Sequence, residues 1–384
     1  MVSPIFRRFL PAALVATALL AVGYVRTAEG TKHPTPWGYR TWSFGALAYS
    51  DILALHEDRG AGRHLLPYLE DRVEYPVLMG LGMWGPSVVA PGRAGYFALT
   101  YLLLAVCALG ALWFMAAIPG TNPWAFAASP ALLVYAGLNW DLFAILPLAA
   151  GVYLWVRGRE RAAVAVLSLA VWTKFFPLLV LGILLLTVWR RSLPLLGIFL
   201  AVTLLVNLPF ALAARDNWLW FFRYSSIREI EPSIYLLLGA DPRAAVPLAN
   251  ALSALVTLLG AAALALVQLR TGRLDPFKAA FGLVCLFFIA NKVYSPQYWL
   301  WVLALAAIAS VPGSLAAVVS CAALADFVSS FMRLHLQFER VWQQAQWYDQ
   351  HVFWPMVALR CGVLAACVAW AFSRVLRPPE AAIG

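Results

Sequence analysis

The sequence predicts an all-α polytopic membrane protein, and three observations carry that reading. Mean hydropathy is +0.78 and only 12% of residues are charged, far too few to coat a soluble chain of 384 residues. Apolar runs recur from Leu10 to Phe372 with no polar domain between them, so 1–384 reads as one integral membrane domain. The 17 tryptophans suit a chain that meets lipid–water interfaces, where indole rings settle.

The elements follow in order. About 12 transmembrane helices fall on apolar windows near 10–25, 75–90, 97–118, 140–156, 162–175, 177–189, 194–213, 246–269, 278–291, 298–311, 313–331 and 352–373, several shorter than the ~20 residues a straight crossing needs. The first window follows Arg7-Arg8, as the apolar part of a signal peptide would. No small-x-small cleavage site follows at Arg26-Thr27-Ala28-Glu29, so it reads as a retained helix. Residues Trp124 to Leu138, broken by Pro130, read as a half-helix that dips in and returns.

The net charge of +10 does not point to nucleic acid, because the basic residues form no stripe and no basic-aromatic patch. A cytoplasmic N-terminus places Arg7, Arg8, Arg93, Arg157, Arg159, Arg161, Arg190, Arg191, Arg270, Arg273, Lys278, Arg374 and Arg377 on one side, against only Glu160, Asp275 and Glu380. The positive excess then sits in short cytoplasmic loops and both termini are cytoplasmic, as the positive-inside rule asks of a plasma (inner) membrane protein. Three long hydrophilic stretches, 26–74, 214–245 and 332–351, fall on the extracytoplasmic side, where function is expected. Cys107, Cys285, Cys321, Cys361 and Cys367 all lie in or beside apolar segments, so neither disulfides nor a metal are expected of them.

Polar residues that interrupt this pattern are the candidates for chemistry. Asp51, after Ser50 in an apolar neighbourhood that would lie along the membrane surface, is placed to accept a proton from a hydroxyl; a helix cap or a solvated acid is the plainer alternative. Glu74 stands before Tyr75-Pro76 at the start of a window, where a helix dipole alone also favours an acid. The triplets Glu57-Asp58-Arg59 and Glu70-Asp71-Arg72 read as self-paired surface charge rather than a metal site. Asn139 and Asp141 flank Trp140 at another helix end. Lys174, in Lys174-Phe175-Phe176-Pro177, tips an apolar hairpin, either snorkelling to the interface or meeting a phosphate. Arg223 and Arg228 sit among Trp218, Trp220, Phe221, Phe222 and Tyr224; their forks suit phosphate oxygens, and an interfacial aromatic belt explains them equally. The densest cluster is Asn291-Lys292-Val293-Tyr294-Ser295-Pro296-Gln297-Tyr298. A Ser-Pro turn does not need Lys, Gln and two Tyr beside it.

Taken together, Ser50-Asp51, Glu74-Tyr75-Pro76, Asn139-Trp140-Asp141, Lys174-Phe175-Phe176-Pro177 and Lys292-Val293-Tyr294-Ser295-Pro296-Gln297-Tyr298 resemble glycosyltransferase family 87. That family is a branch of the GT-C superfamily, polyprenyl-phosphate-mannose-dependent mannosyltransferases, and the likeness runs from about Asp51 to Trp301. The resemblance implies a GT-C-type bundle with surface helices in the first outer loop. It implies an inverting transfer of a sugar, mannose in the family, from a polyprenyl-phosphate donor to a hydroxyl of a lipid-linked or cell-envelope glycan. No nucleotide sugar, cofactor or metal is implied. Asp51 matches the catalytic carboxylate, and Glu74, Asn139, Asp141, Lys174, Arg223, Arg228, Lys292, Tyr294, Gln297 and Tyr298 are the residues expected to bind substrate. Two departures stand out: Tyr75-Pro76-Val77 replaces a frequent Tyr-Pro-Pro, and there is no large C-terminal outer domain.

A lipid-linked sugar transporter or flippase is the rival reading. It predicts ionisable residues at mid-membrane and polar openings on both faces, whereas these candidates gather at one set of helix ends.

Overall fold

Starting signals in the sequence explain where several helices begin. Thr35 accepts from the Gly38 N–H at 3.1 Å, and Asp275 accepts from the Phe277 and Lys278 N–H groups at 3.1 and 3.2 Å. Each is followed by a proline, whose fixed φ and missing N–H suit a first helical turn. The computed structural model describes residues 4–33, 35–58 and 61–376. Arg59, Arg377 and Glu380 lie outside the described residues.

Among the described residues the regular elements are helical. In chain order they are α1 (Pro4–Ala28), α2 (Pro36–Gly45), α3 (Asp51–Asp58), α4 (Val77–Val89), α5 (Arg93–Ala117), α6 (Trp124–Ala127), α7 (Ala131–Tyr135), α8 (Leu142–Val156), α9 (Glu160–Thr173) and α10 (Pro177–Thr187). There follow α11 (Ser192–Ala213), α12 (Arg215–Ile227), α13 (Ile234–Leu237), α14 (Val246–Thr271), α15 (Pro276–Ala290), α16 (Trp299–Ile308), α17 (Gly313–Phe338), α18 (Trp342–Tyr348) and α19 (Trp354–Ser373). Six stretches, containing α1, α5, α11, α14, α17 and α19, are long and apolar enough to cross a membrane. Their outward faces are leucine-rich, as at Leu193, Leu205 and Leu212 on α11 and Leu248 and Leu258 on α14. Such surfaces belong in hydrocarbon, and the chain is a multi-pass helical membrane protein.

Side-chain contacts show which helix ends lie together. Arg8, near the start of α1, donates to the carbonyls of Ala116, Ile118 and Thr121 at 2.8, 3.0 and 2.7 Å. Further along, the Tyr101 hydroxyl donates to the Leu20 carbonyl at 2.7 Å, and Arg93 donates to the His33 carbonyl at 2.6 Å. Helices α1 and α5 are therefore antiparallel neighbours, with Arg8 and Arg93 at opposite ends. This corrects the expectation that Arg93 shares a side with Arg8. The cause is α4, whose 13 residues span only about 20 Å. Trp84 Nε1 donates to the His64 carbonyl at 3.1 Å, tying α4 to the first long loop, and Gly92, at φ +83°, turns the chain into α5 at the same end. Window 75–90 is thus no passage through the bundle.

Residues 124–135 correct the opposite error. Asn122 bonds Ala307 and Val311, at the end of α16, while the Val134 carbonyl accepts from Arg26, at the end of α1, at 3.2 Å. So α6 and α7 form one broken passage rather than a half-helix that returns. The break at Ser129-Pro130 is tolerated because protein surrounds it: Ala127, Ala131 and Leu132 are buried, and Ser129 Oγ accepts from the Ala131 N–H at 3.2 Å. Beside the six long stretches, α4, α8, α10, α15 and the 296–308 segment that contains α16 are shorter apolar helices.

The Arg8 end also gathers the short basic turns. Phe114 meets Tyr153, Arg191 pairs with Glu160 at 2.6 Å, Gln268 reaches the Thr187 carbonyl, and the Asp275 N–H bonds the Val375 carbonyl. The three long hydrophilic stretches lie at the other end, with α2, α3, α12, α13 and α18.

Candidate active site

At that second end, the starts of α3, α4, α8, α10 and α16 and the ends of α9 and α15 converge on a cavity of about 530 Å³. Small-ligand sites are commonly of roughly this size. Asp51, Glu74 and Asn139 line one part, and Lys292, Arg228, Ser225 and Asn250 line another. Between them are Lys174, Gln297 and a set of aromatic rings, among them Tyr75, Phe176 and Tyr298.

Asp51 is the first residue of α3, yet it does not cap the helix. Ser50 takes that role, its Oγ accepting from the Ile52 N–H at 3.2 Å while donating to the Gly137 carbonyl at 2.5 Å. The Asp51 N–H bonds the Leu138 carbonyl at 2.7 Å, so the start of α3 is pinned to the turn before α8. From that turn Asn139 Nδ2 donates to Asp51 Oδ2 at 2.8 Å and also bonds the Tyr75 hydroxyl at 3.1 Å. Asn139 Oδ1 accepts from the Trp140 N–H at 2.7 Å, which fixes the amide so that its donor side faces the carboxylate. Asp51 lines the cavity. Burial pushes it above its usual range, hydrogen bonds from Asn139 and Tyr49 and the charge of Lys174 partly offset this, and nearby Glu74 adds to it. The result is an oriented carboxylate of enhanced basicity.

Lys174 ends α9 in extended backbone, and Pro177 starts α10 three residues later, so its ammonium is held at the tip of a tight hairpin. Nζ lies 3.0 Å from Asp141 Oδ1 and 5.1 Å from the centre of the Tyr75 ring. Asp141 is fully buried and also accepts from Trp301 Nε1 at 2.7 Å. It therefore stands behind Lys174 and anchors it, instead of lining the cavity.

The basic wall is made by two segments of chain. Lys292 Nζ donates to the Ser226 carbonyl at 3.1 Å and, among the described residues, has no carboxylate at ion-pair distance. Burial, with Arg228 nearby, holds this ammonium below the usual lysine range. Arg228 lines the cavity but is already paired with Glu231. The Glu231 N–H in turn bonds the Lys292 carbonyl at 3.1 Å, fastening one segment to the other.

Neither family models nor curated proteins give a match to this chain. The site is accordingly read from its residues. Eight of the eleven residues picked from sequence line the cavity: Asp51, Glu74, Asn139, Lys174, Arg228, Lys292, Gln297 and Tyr298. Three do not line it. Asp141 lies behind Lys174. Tyr294 is buried with its ring 4.1 Å beneath the Arg360 guanidinium. Arg223 points away, paired with Asp216 at 3.3 Å on an exposed face of α12. Of the residues the reading passed over, Asn250 carried a signal, a lone amide at the head of an apolar run. Ser225 carried none. In the second Glu-Asp-Arg triplet, Glu70 accepts from the Leu66 N–H and Asp71 from the Arg72 N–H, local turn contacts away from the cavity.

Proposed function

We propose that this protein is a membrane-embedded glycosyltransferase that moves a sugar, mannose by resemblance, from a polyprenyl-phosphate donor to a hydroxyl of a lipid-linked or cell-envelope glycan. The observation that carries the reading is a cavity divided by charge, with the oriented carboxylate of Asp51 on one wall and Lys292 and Arg228 on the other. A sugar phosphate ester needs both. The acceptor hydroxyl loses its proton to Asp51 as its oxygen bonds to the anomeric carbon, and the bond from that carbon to the phosphate oxygen breaks on the opposite face. The departing phosphate monoester gains one negative charge, which Lys292 and Arg228 stabilise. Phenyl rings at Phe175, Phe221 and Phe222 give the same cavity an apolar side suited to a prenyl chain.

In this reading the chain crosses the membrane twelve times, with α6–α7 counted as one crossing and α4 as none, the cavity opens on the extracytoplasmic side of the plasma membrane, and the Arg8 end with both termini is cytoplasmic. Moving Arg93 to the cavity end leaves the other basic turns together, which keeps the positive-inside argument. The test is purified protein in lipid nanodiscs with radiolabelled polyprenyl-phosphate mannose and membrane glycolipids. Label is expected in the glycolipid, in amounts that depend on Asp51. Folded protein that binds the donor yet transfers nothing to any glycan fraction would remove the transferase reading.

A further inference from the structure

One buried ion pair lies outside the cavity. Arg360 of α19 donates through Nη1 to Asp326 Oδ1 of α17 at 3.1 Å, and both residues are almost wholly buried. Ionisable groups inside a membrane bundle are costly, and apolar packing could join two helices without them. The remaining contacts of the pair show a direction. Arg360 Nη2 donates to the Pro232 carbonyl at 2.5 Å, and the guanidinium lies 4.1 Å over the Tyr294 ring. Asp326 Oδ2 accepts from Trp299 Nε1 at 2.9 Å. Pro232 follows Glu231, the partner of Arg228; Tyr294 is two residues from Lys292; Trp299 follows Tyr298. Among the described residues, these contacts fall on the two segments that supply the basic wall and on no other part of the cavity.

We propose that Arg360 is a positioning residue for that wall. Its planar fork holds the 228–232 segment and the 292–298 segment at one spacing, so that Lys292 and Arg228 address a single phosphate, and Asp326 holds the fork in place. The inference rests on the donor reading above and adds a residue far from it in sequence. A lysine at 360 would keep the ion pair but, as a point charge, could not hold Asp326, Pro232 and the Tyr294 face together.

The test measures binding of a sugar-free polyprenyl phosphate to the full chain in nanodiscs, alongside thermal unfolding. The variants are Lys292→Gln, Arg360→Lys, the neutral pair Asp326→Asn/Arg360→Met, and that pair combined with Lys292→Gln. The neutral pair leaves no lone buried charge, so it keeps the test open if Arg360→Lys fails to fold. Arg360→Lys and the neutral pair should each weaken binding about tenfold, the order lost with one charged hydrogen bond. The combined variant should bind no worse than Lys292→Gln, because residues acting through one site are not additive. Wild-type affinity in a folded neutral-pair variant would make the pair purely structural and overturn the proposal. Absence of binding by the wild type, or binding indifferent to Lys292→Gln, would instead overturn the donor reading, and this inference with it.

Discussion

The two walls of the cavity handle charge differently. On the acidic wall, Asp51 is held by neutral partners, the Asn139 amide at 2.8 Å and the backbone around Ser50, with no cation of its own at ion-pair distance among the described residues. On the basic wall, Lys292 rests on a carbonyl and likewise has no carboxylate at ion-pair distance among the described residues. The nearby charges of opposite sign are already engaged, Lys174 with Asp141 and Glu231 with Arg228. The paired Lys174 thus stands between two groups of opposite sign that have no ion-pair partner among the described residues. A carboxylate left unpaired and desolvated stays basic, and an ammonium left unpaired stays ready for an anion.

The largest effect should come from breaking the acidic wall. Asp51→Asn keeps the shape but cannot take a proton, so transfer should fall about a hundredfold to ten-thousandfold while donor binding persists. Loss of a helix cap cannot imitate this, since Ser50 provides the cap. The ionised form is the active base, so the wild-type rate should rise with pH through a limb that lies above the ordinary aspartate range, in keeping with the raised carboxyl. A pH–rate profile with no such limb, or a folded Asp51→Asn protein of wild-type rate, would pass the base role to Glu74.

Lys174 tests the paired middle. In Lys174→Gln the fully buried Asp141 loses its counter-ion, which in buried pairs costs about 3–5 kcal/mol. A clear drop in unfolding temperature is expected, with much of it recovered in Lys174→Gln/Asp141→Asn. If the single variant is as stable as wild type but has lost donor affinity, Lys174 belongs to the phosphate site and the pairing with Asp141 does not commit it.

Lys292→Gln breaks the basic wall alone. No buried acid is abandoned, so stability should hardly move, while the donor KM rises roughly tenfold to a hundredfold, as for a lost hydrogen bond to a charged group. Only the protonated amine binds, so wild-type donor affinity should decline as pH rises through a value below the usual lysine range. An acceptor KM that rises in place of the donor KM would exchange the roles of the two walls.

Much of this arrangement could be read from the chain, and the failures have physical causes. Apolar windows located the helices, because burial in lipid selects composition directly. Hydropathy carries no direction, however, so it could not tell that α4 stays at one end while the Pro130-broken α6–α7 pair goes through; those depend on Trp84, Asn122 and Arg26 finding distant carbonyls. Polar residues at helix ends drew attention to Asp51, Asn139, Lys174 and Lys292, all of which line the cavity. The same cue misplaced Asp141 and Tyr294, since the side of a turn a residue faces is settled by packing. Asp326 and Arg360 had the clearest signal of all, single charges inside windows 313–331 and 352–373, but hydropathy does not say which windows pack together and so could not pair them.

The smallest effect expected is at Arg223, and it separates position from composition. Arg223 and Arg228 lie five residues apart in one aromatic stretch, and sequence gives no reason to prefer either. In the fold, Arg228 lines the cavity while Arg223 is solvent-exposed and bridges Asp216 at 3.3 Å. Exposed pairs of this kind contribute little, so Arg223→Gln should change donor KM, rate and unfolding temperature by less than about twofold in any constant. Arg228→Gln removes a cation from the wall and strands half-buried Glu231, so its donor KM should rise several times further than that of Arg223→Gln. Equal losses at the two positions would mean that α12 acts through its overall positive charge, as a belt on anionic lipid would, and that the basic wall is not confined to the cavity.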